Sequence, residues 1–483
     1  MHDIRIENLT VRTQGGTVLV DDVSLAFGPN RPVCLIGETG SGKSLIMHAV
    51  MGSLPDSLVC EGKILFDGVD LLTQTADARR ALWGRKIALL PQEPWLALDP
   101  TMRVQGQVAE VYTALHGIPA REAGQKADGE LSAVGLAHAG NAYPFELSGG
   151  MAQRVSIAMA HAGGSPVMLA DEPTKGLDRA LCKVVGELLC FEVALGRAMM
   201  VITHDLELAE QVGGTVGVMR RGRLLEAGAA ADILSAPSDP YTRHLVASLP
   251  RNWPVRDHPH PRNDATSSGD KAVVTGRGIG KSFGERQLFS GLDITLNRGE
   301  ITVVLGPSGS GKSTLGNILL GLMPFQEGAV ARPGNLPAMR YQKIYQDPPS
   351  AFIAHQTLGQ GFDDLRRLHG IDMARQTAMM ESLGLDRGLL ARPPSAISGG
   401  ELQRFAIARS LLLDPVMLFA DEATSRLDPV SQKRVIDLLV AQVRERDLAL
   451  LLVTHDEVLA ERIADRIIRI DNARTATTQA KAA

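Results

Sequence analysis

One ordered series of short motifs runs through this chain twice, and that duplication limits the possible folds more than any other feature. GETGSGKS (37–44) is answered by GPSGSGKS (306–313), PQEP (91–94) by YQDP (345–348), and LSGGMAQR (147–154) by ISGGELQR (397–404). VMLADEPT (167–174) is answered by VMLFADEAT (416–424), and VITHD (201–205) by LVTHD (452–456). Two halves built on one plan follow. Asp171 and Asp421 stand at the same offset as Ser148 and Ser398, whereas Lys43 and Lys312 lie further apart. The first half is therefore the longer between its Gly-rich loop and its SGG motif. Part of the excess falls in LFDGVDLLTQTADARRALWGRK (65–86).

Each Gly-rich octet follows an apolar run (VCLIG, 33–37; VVLG, 303–306) and precedes apolar residues at helical spacing (Leu45, Ile46, Ala49, Val50; Leu315, Ile318, Leu319). This strand–loop–helix order is the context in which a GxxxxGK[ST] loop binds phosphate. Gly37, Gly40 and Gly42, and in the second half Gly306, Gly309 and Gly311, let amides and a helix N-terminus wrap an anion. Lys43 and Lys312 are expected on the outer phosphates, and Ser44 and Ser313 on Mg2+, with Thr314 beside the latter. The strands ending in Asp-Glu deliver two carboxylates in succession. Asp171 and Asp421 are expected near Mg2+ through water, and Glu172 and Glu422 where they polarise an attacking water. Ser148, Gly149 and Gly150, and likewise Ser398, Gly399 and Gly400, open further helices whose N-termini suit a γ-phosphate.

Composition narrows what such a pair of sites can serve. In 483 residues, 44% are hydrophobic and 22% charged, the proportions of a water-soluble globular chain. The net charge of −4 argues against a nucleic-acid partner, since phosphate-backbone binding wants a basic excess. No apolar run has bilayer length, and the longest, LALLLVTH (448–455), is strand-sized. MHDIRIENLT lacks the pattern of a secretory signal. Cys34, Cys60, Cys182 and Cys190 have no metal-ligand spacing and read as reduced thiols. The stretch 252–272, rich in Pro, Asp, Asn and Ser and carrying His258 and His260, reads as an exposed linker, and 473–483 as a frayed tail.

SGG followed by Gln-Arg, then a strand with Asp-Glu, then a strand with His, resembles the ATP-binding cassette family over nearly the whole chain. The resemblance implies an α/β fold: two tandem P-loop ATPase domains (1–251 and 273–472), each a mixed-sheet core with an inserted helical subdomain. It implies ATP and Mg2+ as cofactors and an intramolecular dimer of the two cassettes sandwiching two ATPs. Ser148, Gly149 and Gly150 would then complete the site of Lys312, and Ser398, Gly399 and Gly400 that of Lys43. Gln92 and Gln346 match the glutamine loop that senses Mg2+, His204 and His455 the switch histidine, and Asp178 and Asp428 the D-loop aspartate. The family stacks an aromatic on adenine. Phe283 fits in the second half, but Thr13 or its polar neighbours stand at that place in the first, so unequal nucleotide binding is expected. The D-loops KGLD and SRLD carry Lys175 and Arg426 as departures, and Ala423 stands for Pro173; none removes a catalytic group.

LSGGMAQRVSIAMA, SAPSDPYTRHLVASLP (235–250) and IYQDPPSAF (344–352) resemble, within that family, the ATPases of peptide and nickel importers. This implies an ATPase on the cytoplasmic face of the inner membrane. It would energise uptake of a peptide-like solute, nickel or a metal chelate through two permease subunits served by a separate solute-binding protein. Trp95 and Phe352, just past the glutamine loops, are expected to anchor the permease. The alternative is a soluble tandem ATPase acting on ribosomes or DNA.

Overall fold

A computed structural model describes residues 2–254, 271–284, 286–307, 309–334, 336–425, 427–470 and the backbone of 477–480. His258, His260 and Arg426 lie outside the described residues. The chain divides into two compact units, Met1–Val246 and Ala247–Ala483.

Parallel strands covered on both faces must be apolar throughout. In the first unit Val33–Gly37, Val167–Asp171 and Ala198–Ile202 are buried at every position. They form a six-stranded sheet in the order Arg223–Ala229, Thr215–Arg220, Val33–Gly37, Ala198–Ile202, Val167–Asp171, Ile87–Leu90. Only the Arg223–Ala229 edge is antiparallel, so the sheet is mixed. A second, antiparallel sheet of Ile4–Thr13, Val18–Phe27, Leu58–Phe66 and Val69–Asp70 closes one side of the core. Ile4, Ile6, Phe27 and Ile64 pack there against Val33, Leu35 and Ile46. Each fully buried Ile, Leu or Val contributes roughly 1.5–3 kcal/mol.

The second unit repeats the plan. Its mixed sheet runs Tyr341–Ile344, Met417–Asp421, Ala449–Val453, Ile301–Leu305, Arg466–Arg469, Thr477–Ala480. The last strand is antiparallel to Arg466–Arg469, so 477–480 form a sheet edge where a frayed tail was expected. Between Leu58–Phe66 and Ile87–Leu90 the first unit carries the short strand Val69–Asp70 and the helix Ala76–Arg80, and part of its extra length goes here. In each unit a helical layer is inserted after the Gln-containing loop. It comprises Val104–His116, Ala120–Ala133 and Gly149–Gly163 in the first, and Leu358–His369, Met373–Ser382 and Gly399–Leu411 in the second. Val104, Val108, Leu131, Leu136 and Val155 give the first of these layers its own apolar core.

The linker reading needs one correction. Trp253, inside 252–272, is 6% exposed and belongs to the second unit's core. Its indole N–H donates to the Ser248 carbonyl (2.8 Å), and the Lys433 ammonium sits 5.1 Å from its ring centroid. An indole carries enough apolar surface to bind the chain down even amid polar neighbours.

Candidate nucleotide sites

In both units the strand at the sheet centre empties into the Gly-rich loop, and the next helix begins at the lysine: Lys43–Met51 and Lys312–Leu320. Gly37 has φ 140°, and a Cβ there would lie 2.0 Å from the Met219 carbonyl oxygen, so only glycine lets the loop leave the sheet this way. The Lys43 ammonium is buried and donates to the carbonyls of Gly37 (2.8 Å) and Glu38 (2.9 Å) and to Ser41 Oγ (3.2 Å). Lys312 does the same with Gly306 (2.7 Å) and Pro307 (2.9 Å).

The neighbouring strand supplies the acids. Ser44 Oγ lies 3.3 Å from Asp171 Oδ1, and Ser313 Oγ donates to Asp421 Oδ1 at 2.6 Å. A hydroxyl beside a carboxylate at a strand end is a hard oxygen-donor set that fits Mg2+. Glu172 and Glu422 have left-handed backbones (φ 48° and 46°), rare for such residues and found where a side chain must be aimed. Their amides tie to the carbonyls of Ile202 (2.8 Å) and Val453 (3.1 Å) on the adjacent strands.

The surroundings of these glutamates differ between the units. His204 Nδ1 is 2.6 Å from Glu172 Oε2, and the His204 amide donates to the same oxygen at 3.3 Å. Burial pushes the Glu172 carboxyl up, but the charge and hydrogen bonds of His204 outweigh it, so the group sits below its ordinary value. Burial alone would lower the imidazole; Glu172 holds it above its ordinary value. In the second unit the partner of Glu422 Oε2 is Gln346 Nε2 (2.8 Å). Gln92 is exposed, and neither it nor His455 makes a hydrogen bond among the described residues.

Both SGG runs open helices as expected. Ser148 and Ser398 are N-caps accepting from the amides of Met151 and Glu401, with Gly149 and Gly399 exposed. Asp178 and Asp428 are also N-caps, accepting from the amides of Leu181 and Ser431 (3.0 Å each). Phe283 is 51% exposed at the end of a strand, with the Lys281 ammonium 4.8 Å from its ring centroid. On the matching turn of the first unit, Thr13 Oγ1 accepts from the Thr17 amide.

The profile of the ABC transporter family matches residues 20–175 and again 289–425. The chain belongs to the ABC transporter family. It is a tandem-cassette ATP hydrolase of that family. It is 34% identical over 94% of its length to the peptidoglycan transport ATP-binding protein YejF of Agrobacterium fabrum, covering 88% of that protein. The glutathione import ATP-binding protein GsiA of Escherichia coli K12 is 32% identical over 96% of the chain and 84% of its own length. Among solved structures, the chain is similar to the archaeal ribosome recycling factor aABCE1 (TM-score 0.65, 19% identity, 96% of this chain and 87% of that one). That likeness concerns the fold.

Two contacts of this ABC ATPase were not read from the sequence. The tail segment Pro240–Ala247 brings the Tyr241 hydroxyl to the Glu38 amide of the first phosphate loop (3.0 Å), and the Arg220 guanidinium stacks 4.5 Å from the Tyr241 ring centroid. Glu226 fixes this tail by accepting from the amides of Ser238 (2.8 Å) and Asp239 (3.2 Å) and from the Ser238 hydroxyl. The other contact is Lys343, in the strand beside Asp421. A lysine in YQKI where the first half has IALL was the one available signal.

Proposed function

We propose that the chain is the ATP-hydrolysing subunit of an importer, taking up a peptide-like solute, nickel or a metal chelate through separate permease subunits. The main support is that each unit presents one phosphate loop, one Ser/Asp oxygen pair and a glutamate one residue beyond it. The names borne by relatives of similar length, for peptidoglycan transport and glutathione import, favour a transport role. In this reading Lys43 and Lys312 bind the outer phosphates, and Phe283 stacks on one adenine. Ser44, Asp171 and Gln92, and Ser313, Asp421 and Gln346, would hold Mg2+, the aspartates through water. When bound, that ion neutralises phosphate charge. Glu172 or Glu422 accepts a proton from a water whose oxygen attacks the γ-phosphorus. The bond to the bridging oxygen breaks, giving ADP and phosphate. His204 and His455 orient this chemistry. The SGG helices of each unit complete the other's site.

A groove of about 410 Å³ beside the second glutamine loop supports a membrane partner. Phe352, Ile353, Leu365 and Leu368 line it, with Gln356 and Arg409 also in its wall. In the first unit Trp95 (42% exposed) and Leu96 (81%) stand on the matching loop. An apolar groove with a few polar groups suits a short helix of a permease. This reading locates the chain at the inner face of the membrane; no described helix is long and apolar enough to cross it.

Affinity capture from detergent-solubilised membranes tests the proposal. Two integral-membrane proteins should co-purify with the chain. Trp95→Ala with Phe352→Ala should lose them while ATP hydrolysis in solution stays within about twofold. Ribosomes or DNA in place of membrane proteins would overturn it, as would unchanged capture by the double variant.

A further inference from the structure

The two sites also differ at the outer oxygen of the second aspartate. Asp421 Oδ2 is ion-paired with Lys343 Nζ at 2.9 Å, while Asp421 Oδ1 takes the Ser313 hydroxyl. The Lys343 side chain is 12% exposed, and that of Asp421 9%. The ammonium also donates to Asn317 Oδ1 (3.0 Å) and lies 5.0 Å and 5.2 Å from the ring centroids of Phe419 and Tyr345. A carboxylate, an amide oxygen and two ring faces make a built cage for one cation.

The first unit keeps the carboxylate, Asp171, but not the lysine, the amide or the rings around it. Lys343 pairs across the sheet with Phe419, and the residues in that register of the first unit are Leu89 and Leu169. Leu89 packs against the apolar core. At the place of Asn317 stands His48, whose Nδ1 is 2.9 Å from Ser53 Oγ. Asp171 accepts from Ser44 and makes no ion pair among the described residues.

We propose that Lys343 is a resident cation of the second site that weakens its hold on the divalent ion, so that the two sites load metal at different concentrations. This rests on the nucleotide reading given above. Two effects act in the same direction. The lysine neutralises the carboxylate that should attract the ion's water shell, and it occupies one of the two oxygens. It also sets a positive charge beside an incoming dication, where low exposure limits screening. Charges a few ångströms apart at a partly buried site interact strongly enough for a difference of at least tenfold in ion affinity. Between the two loading concentrations only the first site turns over.

The test uses the full chain with a non-hydrolysable ATP analogue and Mn2+ as the probe, free Mn2+ being read by electron paramagnetic resonance. The native chain should show two classes of Mn2+ site at least about tenfold apart. Asp421→Asn should abolish the weaker class and Asp171→Asn the tighter. Lys343→Leu, which installs the first unit's residue, should tighten the weaker class towards the other, and Lys343→Met should do the same. Equal affinities in the native chain would overturn the inference. So would a gap that persists in folded Lys343→Leu and Lys343→Met proteins. If either variant fails to fold, the native chain and the two aspartate variants still decide. A chain that binds the analogue but shows a weak class tied to Asp171 refutes the inference alone. A chain that retains neither analogue nor Mn2+ refutes the nucleotide reading, and the inference with it.

Discussion

Glu192, on the helix Arg179–Ala194, keeps only 3% of its side chain exposed and is held by two cations. His161 Nδ1 lies 2.6 Å from one carboxylate oxygen and Arg197 Nε 3.0 Å from the other. The imidazole also lies 3.9 Å from Glu130 and 6.2 Å, centroid to centroid, from the Phe191 ring. The hydrogen bond to Glu192 holds His161 above its ordinary value of 6.5, against the opposing effects of burial and Arg197. A folded-state value raised above the unfolded one gives stability that is complete below the unfolded value and lost as pH rises through the folded one. The first unit should therefore lose stability between mildly acidic and alkaline pH, by less than the roughly 1.5–3 kcal/mol of a hydrogen bond to a charged group, because solvent screens the partly exposed imidazole. His161→Gln should flatten that loss. Urea midpoints across pH, followed by hydrogen exchange in Arg179–Ala194, measure it; equal slopes for both proteins would refute it. The matched positions of the second half are Leu411 and Gln442, so its stability should lack this pH dependence.

At the scale of elements, the helix after each phosphate loop must press on the strand that carries the acids. The two units solve this with opposite volumes. Gly316 faces Phe419 so closely that a Cβ would lie 2.1 Å from the ring, whereas the first unit has Met47 and Leu169 at the matched positions, both buried. Gly316→Ala should destabilise the second unit by about 1–3 kcal/mol through overpacking. Gly316→Met with Phe419→Leu should recover most of the stability that Gly316→Met alone removes, because the pair shares one volume. Trp253 reports on this unit by fluorescence once Trp83 and Trp95 are replaced by Phe. Additive losses in the double variant would show that the volumes are not exchanged.

For the whole molecule, the proposal that each unit completes the other's site has a measurable consequence. With Glu172→Gln and Glu422→Gln together, hydrolysis stops while the phosphate loops and SGG helices remain. ATP and Mg2+ should then be retained at about two nucleotides per chain, and the radius of gyration from X-ray scattering should fall. An unchanged radius at full occupancy would exclude nucleotide-driven closure.

The duplication, the loops and the acid-bearing strands were legible in the sequence because each is a local pattern with a local physical cause. Glycines let a loop turn sharply out of a strand, apolar runs bury themselves as central strands, and Ser-Gly-Gly caps a helix. The family and the tandem α/β fold needed nothing further. Tertiary structure decided what those residues meet. Glu172 pairs with His204, and Glu422 with Gln346, although both halves carry the same motifs. Trp253 sits in a core although its neighbours read as a tether, and Tyr241 reaches a loop some two hundred positions earlier. Lys343 meets Asp421 only because parallel strands bring distant segments into register. A contact between side chains far apart in the chain depends on register and packing, and neither is written in the composition of a single segment.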